Sequence, residues 1–136
     1  SGARFNKDGL SCVQVHMTNT SNLPIESMEI EFPYMVEQYT LVPDSGGPGK
    51  FRGGLSMYKD IRVLGHDSQF TVKADRQKTP PWGLFGGKPG LPGVITIYPG
   101  TPDETVIDSK KSGTTLKANR CQEPAVMATR WSEIAP

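Results

Sequence analysis

Histidine and cysteine are scarce in this chain, with two of each in 136 residues. Neither His16 nor His66 has a second His or Cys at ligand spacing, which argues against a metal site built by this chain alone. Cys12 and Cys121 are far apart and make no CxxC pair. They could form one disulfide, but two thiols in a cytosolic protein is the plainer reading. An excess of one charge is also lacking. Fifteen Lys and Arg stand against fourteen Asp and Glu, a formal charge of +1. That leaves no general basic field for nucleic acid and no cationic face for a membrane. No apolar run approaches the roughly 20 residues that span a bilayer. The opening Ser1-Gly2-Ala3-Arg4-Phe5 is too polar for a signal peptide. A cytoplasmic location is the expectation.

Glycine and proline are abundant, 15 and 12 residues, while hydrophobic residues are only 35%. Such a chain is rich in loops or extended backbone and has a modest core. The length suits one domain. Charge is uneven: residues 1–45 carry net −4, residues 50–78 net +4 and residues 79–136 net +1. The central basic stretch could meet an anionic group, but pairing with the acidic first third is favoured.

Most segments read as strands. Ser11–Met17 alternates, and Val36–Val42, Leu55–Leu64, Gln69–Ala74 and Gly93–Tyr98 are strand-like. One short helix is expected after Asn22 as cap, with Pro24 early, Glu26 and Glu29 toward its positive end, and a stop near Phe32 before Pro33. Residues 43–54, PDSGGPGKFRGG, and 79–93, TPPWGLFGGKPGLPG, fit neither pattern. Phe51, Trp82, Leu84 and Phe85 sit inside them, and large apolar groups are rare in true linkers. Both stretches are therefore expected to be ordered extended or polyproline-II segments packed against a neighbour, with Trp82 and Phe85 buried.

Chemistry is sparse. No GxSxG elbow supports a serine hydrolase. The run GGPGK at 46–50 has the glycines of a phosphate loop, but no helix follows, and Pro48 removes an amide. The segment His16-Met17-Thr18-Asn19-Thr20 places an imidazole, hydroxyls and an amide at a strand end, where sites often form. A Ser/Thr or Asx turn explains the same residues. His16 is the catalytic candidate, an acid or base facing a cavity. Thr18 and Asn19 are candidates to line that site. Arg52 and Arg76 lie beside the Gly/Pro stretches and could clamp a carboxylate. Their alternative role is to bond carbonyls of segments that lack internal partners, and this is expected for Arg76.

Four segments, ARFNKDG, QVHMTNTSNLPIE, PDSGGPGKFRGGL and DRQKTPPWGLFGGKPGLPG, closely resemble the hydantoinase B/oxoprolinase family in order and spacing. The resemblance covers residues 2–118 and implies that residues 1–118 form the C-terminal part of such a domain. It implies a mainly β fold, a β-barrel-like region running into short polyproline-II segments. It further implies an ATP-dependent opening of a cyclic amide such as 5-oxoproline or a hydantoin. ATP and Mg would be held by a hydantoinase A-type partner of actin-like fold. A divalent metal would belong to the N-terminal portion of the B part, so no metal ligand carries over to this chain. The partners implied are the remainder of the hydantoinase B polypeptide and the A-type ATPase, and the chain alone would be inactive. The family also contains acetone- and acetophenone-type carboxylases, so part of a carboxylase is the alternative. A non-catalytic assembly module is the third reading.

The resemblance breaks at the end of the chain, beyond residue 118. The family usually closes on a string such as GAGGYGDPL, whereas this chain reads EPAVMATRW at residues 123–131. The codons GAG CCG GCG GTT ATG GCG ACC CGC TGG encode this string. Read one base earlier, with a preceding G, they give GAGGYGDPL. Met127 and Trp131 each allow a single codon, and both fit. The expectation is a frameshift near Asn119, leaving residues 119–136 as a divergent tail without a fold of its own.

Overall fold

A computed structural model describes residues 1–13 and 21–117, and the backbone of 125–131. Among these residues the fold is mainly β with one short helix. In chain order the elements are α1 (Ile25–Glu31), β1 (Tyr34–Leu41), β2 (Met57–Val63), β3 (Ser68–Lys73), β4 (Val94–Ile97), β5 (Thr105–Val106), β6 (Lys110–Leu116) and β7 (Ala125–Trp131). The expected strands beginning near Val36, Leu55, Gln69 and Gly93 are β1 to β4, each within two residues. Ser11 and Cys12 form a turn instead of starting a strand, and 14–20 lie outside the described residues.

The helix stands where it was expected, but its cap differs. Pro24 is the N-cap, its carbonyl accepting from the Met28 amide at 3.0 Å, and no side chain caps the helix. Asn22 is two residues too early to reach the first-turn amides. Glu29 accepts from the Val36 amide at 2.8 Å and so ties the helix to β1. Phe32 is extended and ends the helix ahead of Pro33.

The described strands form two sheets. One runs β1-β2-β7-β4-β5, all neighbours antiparallel, and the other pairs β3 with β6. Neither is closed among the described residues. β1 and β5 are the edges of the five-stranded sheet among the described residues, which leave the barrel-like part of the expectation unconfirmed. Residues Ala125–Trp131, from the tail expected to lack a fold, lie between β2 and β4.

Two irregularities re-aim side chains. On β1, Glu37 is an extra residue between Val36 and Gln38, and its carboxylate ion-pairs with Arg62 of β2. That pair joins the acidic first third to the basic centre, as the charge distribution suggested. On β6, Ser112 and Gly113 oppose a single residue of β3, and Gly113 takes φ +68°, which glycine adopts without a steric cost.

The core lies between the sheets. Val63, Ile95 and Ile97 come from the five-stranded sheet, and Val72 and Leu116 from the two-stranded one. Ala74 and Ile107 complete it, and Tyr34, Phe70 and Tyr98 pack against it. Burying each large aliphatic residue contributes roughly 1.5–3 kcal/mol. Among the described residues no helix is long and apolar enough to cross a membrane.

Candidate functional site

The Gly/Pro stretches converge, and hydrogen bonds join them. Lys88 donates its amide to the Pro48 carbonyl at 2.9 Å, and Leu91 to the Ser45 carbonyl at 3.0 Å. Gly54 donates to the Ser1 carbonyl at 2.8 Å, which brings in the N-terminal segment. Buried Ser45 bonds the Val42 carbonyl and accepts from the Ser56 amide, both at 2.7 Å. These segments are neither helix nor strand, so their amides find partners across segments. Glycine is required for the approach. A Cβ at Gly47 would strike the Lys88 carbonyl, and one at Gly54 the Leu10 carbonyl.

Between the segments lies a cleft of about 670 Å³. It is bounded by residues 1–5, 45–51, 53–54, 81–88 and 90, with Ser56. Its charged side chains are Arg4, Lys50 and Lys88, and among the described residues no Asp, Glu or His lines it. The volume suits a small molecule. Cations, amides and aromatic rings can bind and orient an anion or a planar ring, but this wall offers no carboxylate or imidazole for acid–base work.

The aromatics depart from expectation. Trp82 is 55% exposed and Phe85 wholly exposed, so the described residues bury neither. The segments are ordered through their backbones, and the rings stand outward. Arg76 also differs from the expected carbonyl clamp. Its guanidinium carbon lies 4.6 Å from the centre of the Trp82 ring, a cation–π contact that props the cleft wall. Its residue has φ +63°, and its carbonyl accepts from Gly93 at 2.9 Å. Arg52 is exposed and does not line the cleft. Its amide donates to Asp8 and its carbonyl accepts from Gly9, each at 2.8 Å, so its backbone joins two loops. His16, Thr18 and Asn19 lie outside the described residues. The structure therefore brings Arg76 to the cleft wall through Trp82, and leaves Arg52 apart.

The sequence reading missed Arg4, Lys50 and Lys88. A signal was present: Lys50 and Lys88 each follow closely on a glycine pair, Gly46-Gly47 and Gly86-Gly87, in the two similar stretches.

Two polar groupings lie outside the cleft wall. His66 Nδ1 donates to the Leu64 carbonyl at 2.8 Å, since a carbonyl only accepts, and Nε2 then accepts from Ser68 Oγ at 2.8 Å. On β2, burial pushes Tyr58 up to about 12, helped by its hydrogen bond to Asp60 and the nearby charge of Asp60 and Glu104. Burial also raises Asp60 above, and lowers Lys59 below, its ordinary range. Among the described residues no three His, Cys, Asp or Glu converge to hold a metal.

Comparison with known proteins gives this architecture its context. The hydantoinase B/oxoprolinase profile matches residues 1–127. A Pseudomonas sp. (strain NS671) protein, named as the B component of a D-/L-hydantoinase, is 37% identical over 105 residues, 77% of this chain and 18% of the relative. The 5-oxoprolinase of Dictyostelium discoideum is 35% identical over 114 residues, 82% of this chain and 9% of the relative. The beta chain of the Pseudomonas jessenii caprolactamase is 33% identical over 64 residues, 47% of this chain and 11% of the relative. The chain thus spans less than a fifth of the length of these curated relatives. With the profile matched across nearly all the described residues, the chain belongs to the hydantoinase B/oxoprolinase family.

Proposed function

We propose that this chain is part of an ATP-dependent amidohydrolase that opens a cyclic amide, acting with a hydantoinase A-type ATPase. One observation carries the reading: the three relatives are named for a hydantoin, 5-oxoproline and caprolactam, and these substrates share a ring amide. An amide carbonyl is a poor electrophile. The partner would transfer the γ-phosphoryl group of ATP to the carbonyl oxygen and release ADP. Water would add to the carbon, and the ring nitrogen would leave with a proton. A second water would split the resulting acyl phosphate into carboxylate and phosphate. Energy for this comes from conversion of ATP to ADP and phosphate.

The described residues of this chain contribute binding and positioning. Arg4, Lys50 and Lys88 favour negative charge in the cleft, and Trp82, held by Arg76, offers a flat apolar surface. Metal chemistry would come from the longer B-type polypeptide, and His16 stays the acid–base candidate of this chain.

The test uses the full-length B-type protein purified with its A-type partner. ATP is added with 5-oxoproline, a hydantoin, caprolactam or acetone plus bicarbonate, and products are quantified. Ring-opened product from at least one amide is expected. Carboxylated ketone with every amide untouched would overturn the reading in favour of a carboxylase.

A further inference from the structure

The rim of the cleft is strongly apolar and exposed. Phe5 is 93% exposed, Trp82 55% and Phe85 wholly so, with Leu84 half-exposed beside them. All four line the cleft, so these exposed side chains gather around one opening. Single exposed apolar residues are ordinary, but clustered aromatics over a rigid backbone mark a contact surface. The rigidity is visible in the cross-segment hydrogen bonds and in the glycine contacts beneath the rings.

We infer that this aromatic rim seats against the rest of the longer hydantoinase B polypeptide, through a surface apolar at its centre and acidic at its edge. The choice of occupant rests on the family assignment and on the proposed membership of a longer enzyme. The matched relatives are more than five times longer than their matched segments, so a large body of the same polypeptide is there to be met. The acidic edge follows from charge: Arg4, Lys50 and Lys88 stand at the cleft with no carboxylate among its described lining. Those cations disfavour a second copy. A two-fold contact through the same face would place the three cations against themselves. A small ligand inside the cleft would not cover Phe5 and Phe85, which stand out from the surface. Once seated, the rim closes the open side of the cleft, and catalytic groups of the larger body meet the cationic wall.

The test places photoreactive benzoylphenylalanine at position 85, and separately at 82, in the full-length protein with its A-type partner. Cross-linked peptides are identified by mass spectrometry. Hydroxyl-radical footprinting of the unsubstituted protein is the second measurement. Cross-links to B-type residues outside these 136, on peptides carrying Asp or Glu, are expected. Several-fold protection of Trp82 and Phe85 relative to exposed Tyr39 is expected as well. Cross-links to a second copy or to the A-type partner would overturn the inference. So would full oxidation of both rings with no cross-link. Neither measurement depends on turnover. Cross-links without ring opening would sink the activity and keep the surface, and the reverse pattern would do the opposite.

Discussion

Gly54 lies where the backbone of the first Gly/Pro stretch meets Leu10 and Ser1, and an added Cβ would collide with the Leu10 carbonyl. Rigid backbone on both sides cannot give way cheaply. Gly54→Ala in the full-length protein is expected to cost roughly 1–3 kcal/mol through overpacking, read as a lowered melting temperature. An unchanged melt would mean the loops are not locked together. Tyr58 carries a second prediction. Its folded value of about 12 exceeds the ordinary 10.0. Between those values the unfolded chain has released the phenolic proton and the folded chain has kept it. The contribution of Tyr58 is therefore fully present below about pH 10 and is lost as pH rises toward 12. Asp60→Asn removes a lesser cause and leaves burial in place, so the Tyr58 midpoint should move down only part of the way. Difference absorbance of tyrosinate checks this, and an unmoved midpoint would exclude any contribution from Asp60. Little of this was legible beforehand. Glycine pairs and positive charge are visible in a sequence, but a cleft is made by which segments meet. Arg76 was singled out for its five donors, yet the nearby Trp82 face is what its guanidinium covers.

Strands of alternating or β-branched residues were readable because their side-chain period is set by the pleat. β1 to β4 were found in this way, and so was the helix, whose end is fixed by Pro33. β5 was missed because two residues carry no period, and β6 because Lys110 to Thr115 is polar and broken by Gly113. β7 was not expected, since the tail departs from the family string. Its backbone nevertheless sits between β2 and β4. Its Val126, Met127, Thr129 and Trp131 suit a strand in composition. The frameshift remains a proposal about the gene, and it is settled by sequencing. Nucleotides for residues 123–131, read one base earlier, should give GAGGYGDPL. Codons that yield no glycine-rich string in that frame would remove it, and β7 would then stand as an ordinary strand of a diverged family member.

At the scale of the whole molecule, the core among the described residues is small and lies between the two sheets. Among the described residues seven buried hydrophobic side chains join two sheets, while the cleft is held by backbone hydrogen bonds and bears its aromatics outward. The sequence reading expected those aromatics to be packed, and the described residues leave them largely exposed. A neighbour explains both observations: the rings are conspicuous in the sequence because they bind, and exposed in the structure because what they bind lies elsewhere. The same division applies to chemistry. The cleft supplies cations and a flat ring, and its described wall carries no acid–base pair. The central claim is that these residues serve an enzyme which couples ATP to opening of a ring amide. The most direct measurement is the ratio of ADP released to ring-opened product formed by the purified full-length protein with its A-type partner. One ADP per ring opened, with neither formed when the cyclic amide is omitted, is the predicted result. Ring opening that proceeds equally without ATP, or ADP release that no cyclic amide stimulates, would contradict it.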